Sequence, residues 1–169
     1  MRIARCQSEY SLAMQLFVIR HAVAEEAEPG EDDTARALTK DGKKKLKAVV
    51  RGMHALGWRF DRVLSSPWRR AVQTAAIVGK RDPILTELLA RPPRSELLGL
   101  ITTSGSPVAV VGHEPWLTEL VAWLAFGDTR HADVLELKKS AVILLDGEPV
   151  PGGMTLQGLL PPSVLRAVG

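Results

Sequence analysis

One cysteine, Cys6, stands in 169 residues, so no internal disulfide can form. A fold without cross-links must rest on its own core, and the chain is long enough for one domain with a substantial one. Aromatics are scarce: one Tyr, three Phe and four Trp. The basic residues lack interleaved rings and carry no nucleic-acid motif, so no nucleic-acid partner is expected. No apolar run approaches the roughly 20 residues that span a bilayer, so no membrane partner is expected either. Met1 to Ala13 carries Arg2, Arg5 and Glu9 and has no apolar h-region, which makes it a poor secretory signal. The lone cysteine and the missing signal together favour a cytoplasmic setting. HExxH, Cys pairs, a Walker loop, GxGxxG after a strand and GxSxG are all missing. Zinc, nucleotide-loop and serine-hydrolase chemistry therefore have no carrier here.

Residues 1–13 read as a disordered N-terminal extension and 14–169 as a single domain, with Met14 opening a far more strand-like sequence. The net charge is +3 and the pI 9.2. Much of the basic excess is local, in Lys40, Lys43, Lys44, Lys45, Lys47 and Arg51. Such a cluster reads first as the solvated face of a helix, and second as a patch that attracts an acidic partner.

Three short segments lack the alternation of a half-exposed strand: the apolar run Leu16 to Ile19, Arg62 to Ser65 around Val63 and Leu64, and the apolar run Val108 to Val111. Continuous β-favouring runs of this length suit strands buried on both faces of a parallel sheet. Between the first two lies a lysine-rich helix from about Lys40 to Leu56, with Thr39 as N-cap and Gly57 as its stop. That link has the content of a right-handed crossover. Ser66 and Pro67 predict a helix start after the second strand, with Ser66 as cap and Pro67 at the first helical position, which puts Arg70 one turn in. Ala22 to Asp33 reads as a loop over the sheet edge, and Ile84 and Leu85 as a short edge strand. Helices are expected at Ser95 to Thr102 and Trp116 to Phe126, the latter opened by Pro115. Ala141 to Leu145 reads as a last full strand, with no more than a short edge strand in the Pro- and Gly-rich segment after Gly147.

The first and third runs each end on a histidine, in Arg20-His21 and Gly112-His113. Ligands of open α/β sheets bind outside the carboxyl ends of the strands, so adjoining parallel strands bring Arg20, His21, Arg70 and His113 to one edge. Two guanidinium forks and two imidazoles suit a tetrahedral dianion, phosphate above all. Histidine is also a nucleophile toward phosphorus. Each residue alone has a plainer reading, as a solvated strand end, a helix charge or a satisfied loop histidine. Trp68 and Trp116 flank the edge and either pack or wall a pocket, while His54 and His131 read as structural.

Three segments in order carry a resemblance: LFVIRHAVAE, SSPWRRAVQTA and VVGHEPWL, with RALTKDG between the first two. They resemble the histidine phosphatase superfamily, and within it the small phosphohistidine phosphatase branch, the SixA-like proteins. The resemblance runs from Met14 to about Leu145. It implies a three-layer αβα sandwich of the phosphoglycerate mutase type with a mainly parallel central sheet. It further implies a metal-independent phosphatase with no cofactor, in which His21 becomes phosphorylated while Arg20, Arg70 and His113 bind the phosphoryl group. Ala22 departs from the glycine usual after the catalytic histidine. Glu87, in LTELL, is the acid by position, with an exposed loop carboxylate as the equal alternative. The implied substrate is phosphohistidine on a phosphotransfer protein. The alternatives are a small-molecule phosphomonoesterase of the same fold, and a phosphoprotein-binding module without turnover.

Overall fold

The computed structural model describes residues 13–27 and 29–169, so Cys6 and the expected N-terminal extension up to residue 12 lie outside the described residues. β1 (Met14–Arg20) is the centre of the fold. Its side chains alternate between two separate apolar layers: Leu16 and Val18 enter one, Phe17 and Ile19 the other. All four are essentially inaccessible to water. Burial on both faces explains the missing polar alternation, and at about 1.5–3 kcal/mol per fully buried large side chain this strand is a major contributor to stability.

β1 pairs in parallel with β4 (Val108–Gly112), which pairs in parallel with β2 (Arg62–Ser65), which pairs in parallel with β3 (Ile84–Leu85). On the other side of β1, β5 (Val142–Gly147) and β6 (Met154–Leu160) run antiparallel. The order across the sheet is β3-β2-β4-β1-β5-β6. The sheet is thus mainly parallel, and the three strands expected to adjoin do so.

Helices cover both faces. α1 (Lys40–Ala55) and α2 (Arg69–Val78) lie on the side of Phe17 and Ile19. There Phe17 meets Trp58 and Phe60 edge-on, at centroid distances of 5.0 and 4.7 Å. α3 (Ser95–Thr103) and α4 (Trp116–Phe126) cover Leu16, Val18 and Leu64 on the opposite side. The result is the three-layer αβα sandwich of the phosphoglycerate mutase type.

Two glycines on α1 allow close backbone contacts. A Cβ on Gly42 would overlap the carbonyl oxygen of Val23, and a Cβ on Gly52 would overlap that of Leu165. Gly42 lets the first turn of α1 sit against the chain leaving β1, where Thr39 also caps the helix by accepting from Gly42 N–H at 2.8 Å. Gly52 receives α5 (Pro162–Ala167), a helix that the sequence reading did not foresee.

Two other expectations need correction. Beyond Gly147 the chain forms a seven-residue strand, β6, rather than a short edge piece, and then α5. α2 begins at Arg69 with Trp68 in the cap position, so Arg70 lies in its first turn and Pro67 precedes it. Ser66 is drawn inward instead, to His113.

Candidate active site

The carboxyl ends of β1, β2 and β4 form one edge, and what leaves each strand lines a common cavity of about 350 Å³. Arg20 ends β1, and its N–H bonds the Ala141 carbonyl at 3.3 Å. Its guanidinium Nη1 donates to the Leu137 carbonyl at 2.9 Å, while Nε is buried without a partner. Ser140, in the left-handed region at φ 65, sends its N–H to the Arg20 and His21 carbonyls at 3.1 and 3.3 Å. The turn before β5 thereby fixes the backbone that carries both side chains.

His21 is buried, and its Nδ1 lies 2.7 Å from the Ala22 carbonyl oxygen. A carbonyl only accepts, so Nδ1 carries the ring hydrogen and Nε2 the lone pair. Arg70 Nε–H donates to that Nε2 at 3.3 Å. Burial lowers the His21 pKa to about 4, with Arg70, Arg20 and Lys139 adding to the effect against the Ala22 hydrogen bond. The imidazole is therefore neutral at ordinary pH, and its Nε2 carries no proton of its own but accepts from Arg70 Nε–H. Ala22 N–H is bound by Thr74 Oγ1 at 3.0 Å, which ties this segment to α2.

His113 follows β4, with its ring 5.1 Å from that of His21. Its Nε2 is 2.8 Å from Ser66 Oγ, and its Nδ1 is buried without a partner. Ser66 Oγ also accepts from Trp68 N–H at 3.3 Å, so this one hydroxyl ties His113 to the start of α2. Burial first, and then the charge of His21 and Arg70, lowers its pKa to about 3.

Several comparisons bear on this edge. Residues 16–91 match the family model of the histidine phosphatase superfamily (branch 1). The phosphohistidine phosphatase SixA of Escherichia coli is 32% identical over 126 residues, which cover 69% of this chain and 77% of that protein. The chain belongs to the histidine phosphatase superfamily. By that 32% identity it stands with the superfamily's SixA-like branch. Its fold is that of a protein histidine phosphatase SixA solved with tungstate, which superposes with a TM-score of 0.73 at 24% identity, covering 90% of this chain and 99% of that one. The fold is also that of a phosphoserine phosphatase of Entamoeba histolytica, at TM-score 0.67 and 18% identity, covering 90% and 99% of the two chains. The chain is thus a phosphatase of this superfamily.

Of the five residues expected at the site of this superfamily member, the structure brings together Arg20, His21, Arg70 and His113. Glu87 lies in a short 3-10 turn after β3, is exposed, and does not line the cavity. Trp68 and Trp116 do line it, with Trp68 4.3 Å from the His113 ring and 4.6 Å from the Arg70 guanidinium carbon. They act as walls that fix the imidazole and the fork by stacking.

Four lining residues were not expected from the sequence: Asp33, Arg36, Glu114 and Lys139. Asp33 grips Arg70 from the loop: Arg70 Nη2 donates to its Oδ2 at 2.8 Å, and Nη1 to its carbonyl oxygen. Arg36 donates to Asp33 Oδ1 at 2.7 Å. Burial alone would raise the Asp33 carboxyl, but Arg70 and Arg36 outweigh it and lower the pKa. Glu114 lies on the His113 side. Nothing in the acidic run Glu31-Asp32-Asp33 distinguishes Asp33; Glu114 had only its position next to His113 to mark it.

Proposed function

We propose that this protein is a metal-independent phosphatase that works through a phosphohistidine on His21. The observation that carries the reading is the state of one atom: His21 Nε2 bears a lone pair, because Nδ1 is committed to the Ala22 carbonyl, and lies in a cavity with Arg20, Arg70 and His113. The nucleophile attacks phosphorus in line with the leaving group. Two arginines, with the His113 imidazole beside them, hold the equatorial oxygens and stabilise the charge that builds there. These groups supply enough positive charge for the step to ask for no metal or cofactor. Water then attacks the phosphoimidazole and restores the lone pair.

The substrate that fits best is phosphohistidine on a phosphotransfer protein. A relative 32% identical bears that name, and a basic hollow of about 670 Å³ lies along α1, lined by Lys40, Lys43, Lys44, Lys47, Arg51 and Arg166. The N-terminus of α1 is tied to the catalytic edge, since Thr39 N–H bonds the Val23 carbonyl two residues past His21. Such a face suits an acidic protein surface and steers its approach. The lone cysteine fits a cytoplasmic protein of this kind. The second reading, a small-molecule phosphomonoesterase, rests on the fold shared with a phosphoserine phosphatase.

A single comparison separates the two. With a phosphohistidine-bearing protein and 4-nitrophenyl phosphate as substrates, changing Lys43, Lys44 and Lys47 to Glu should lower kcat/KM for the protein substrate roughly tenfold by slowing association. The aryl phosphate should react as before. Equal losses on both, or no turnover of the protein substrate by the unmutated enzyme, would refute the protein-substrate reading.

A further inference from the structure

Resting on the phosphatase reading above, we propose that Glu114 is the proton donor of this site, protonating the leaving atom of the substrate, an ester oxygen or the imidazole nitrogen of phosphohistidine, as His21 displaces it. Glu114 lines the same cavity as His21, Arg70 and His113, at the start of α4. Its Oε2 accepts the Thr118 hydroxyl at 2.6 Å, which fixes the carboxyl in place. Its Oε1 is buried with no partner. An ionised carboxylate with one oxygen shut from water and given no donor is costly, so the site favours the protonated acid. Burial raises the Glu114 pKa accordingly, against the hydrogen bonds from Thr118 and the charge of Arg20, with Glu119 on the same helix acting in the raising direction.

The other groups facing this space are differently disposed. Asp33 is paired with Arg70 and Arg36 and kept ionised. His21 and His113 are held neutral by burial. Arg20, Arg36, Arg70 and Lys139 contribute positive charge. Glu114 is the carboxyl on this wall that burial disposes to keep its proton. It also borders a second hollow of about 410 Å³, toward Thr129, Arg130 and Leu135, which gives a leaving group room on the acid's side.

The step balances. The His21 Nε2–P bond forms as the bond from phosphorus to the leaving group breaks, P–O in a phosphate ester and P–N in phosphohistidine, and the Glu114 proton goes to the departing oxygen or nitrogen. In the second half, water attacks phosphorus, the P–N bond breaks, and the water proton returns to the Glu114 carboxylate.

The test is the leaving-group dependence of phosphoenzyme formation, by rapid quench across aryl and alkyl phosphates. The wild-type rate should vary little with leaving-group basicity, and should fall for alkyl phosphates as pH rises and Glu114 ionises. Glu114→Gln should lose about 100-fold or more on an alkyl phosphate and stay within about threefold on 4-nitrophenyl phosphate, whose leaving group needs no proton. The alkaline limb should vanish in the variant, while inorganic phosphate binding is retained as a check on folding. Equal losses on both substrates, a wild-type rate already steep in leaving-group basicity, or the selective loss in Glu87→Gln instead would overturn the assignment. Acid-labile phosphate surviving in His21→Asn would refute the underlying phosphatase mechanism, not this assignment.

Discussion

Replacing His21 by Asn should make the protein more stable than the wild type in acid, although it removes the central group of the site. The unfolded imidazole titrates near 6.5, and burial lowers the folded value to about 4. Between those values the unfolded chain binds a proton that the native state refuses, so stability is complete at high pH and falls as pH drops from 6.5 to 4. At 1.36 kcal/mol per unit, the loss due to His21 approaches about 3 kcal/mol at pH 4. Asn retains an amide that can donate to the Ala22 carbonyl and does not titrate. His113, lowered to about 3, adds a loss of the same sign, but it and the surface carboxylates are present in both proteins. The difference between the two therefore reports His21 together with the part of the His113 shift that His21 causes. Urea unfolding in phosphate-free buffer at several pH values from 8 to 4.5 measures it. The difference should be flat above pH 7 and then move in favour of Asn by about 1.4 kcal/mol per pH unit. Parallel stability curves down to pH 4.5 would show that His21 is not desolvated, and would remove the argument that its Nε2 is unprotonated.

Gly52→Ala should cost about 1–3 kcal/mol through overlap with the Leu165 carbonyl, seen as a Tm lower by several degrees; an unchanged Tm would mean that α5 does not dock closely. Arg70→Lys keeps the charge but loses the fork that reaches His21 Nε2 and Asp33. It should lower kcat about 100-fold, as loss of one oxyanion donor does, with little change in Tm. Near-normal kcat would show that the fork does not hold the transferring phosphoryl group.

The parallel half of the fold was legible because its strands are buried on both faces. Leu16 to Ile19 and Val108 to Val111 have no reason to be polar, and each ends where the chain turns to solvent. β6 and α5 were not legible. β6 is half-exposed at the sheet edge, interrupted by Gly158 and preceded by Pro149 and Pro151, and α5 is six residues long, held by the notch at Gly52 more than by its own periodicity. The α2 start was shifted by two residues: Ser66 Oγ does accept a backbone N–H, that of Trp68, while also holding His113, but the regular helix opens only at Arg69 with Trp68 in the cap position.

At the site, residues at strand ends could be placed by topology alone, which is how Arg20, His21 and His113 converge. Arg70 followed from being in the first turns of the next helix. Residues delivered by loops could not be placed. Asp33 reaches Arg70 across 37 positions of sequence, and no local pattern encodes that contact. The acid candidate Glu87 followed from position relative to the motifs, but the chain carries it to an exposed turn outside the cavity.

The central claim is that His21 is the nucleophile, and rapid quench of the wild type with radiolabelled phosphohistidine protein tests it most directly. The account predicts acid-labile, alkali-stable phosphate on the enzyme within the first turnover, mapped to His21 and missing in His21→Asn. Full turnover by His21→Asn, or label recovered at any other residue, would contradict it.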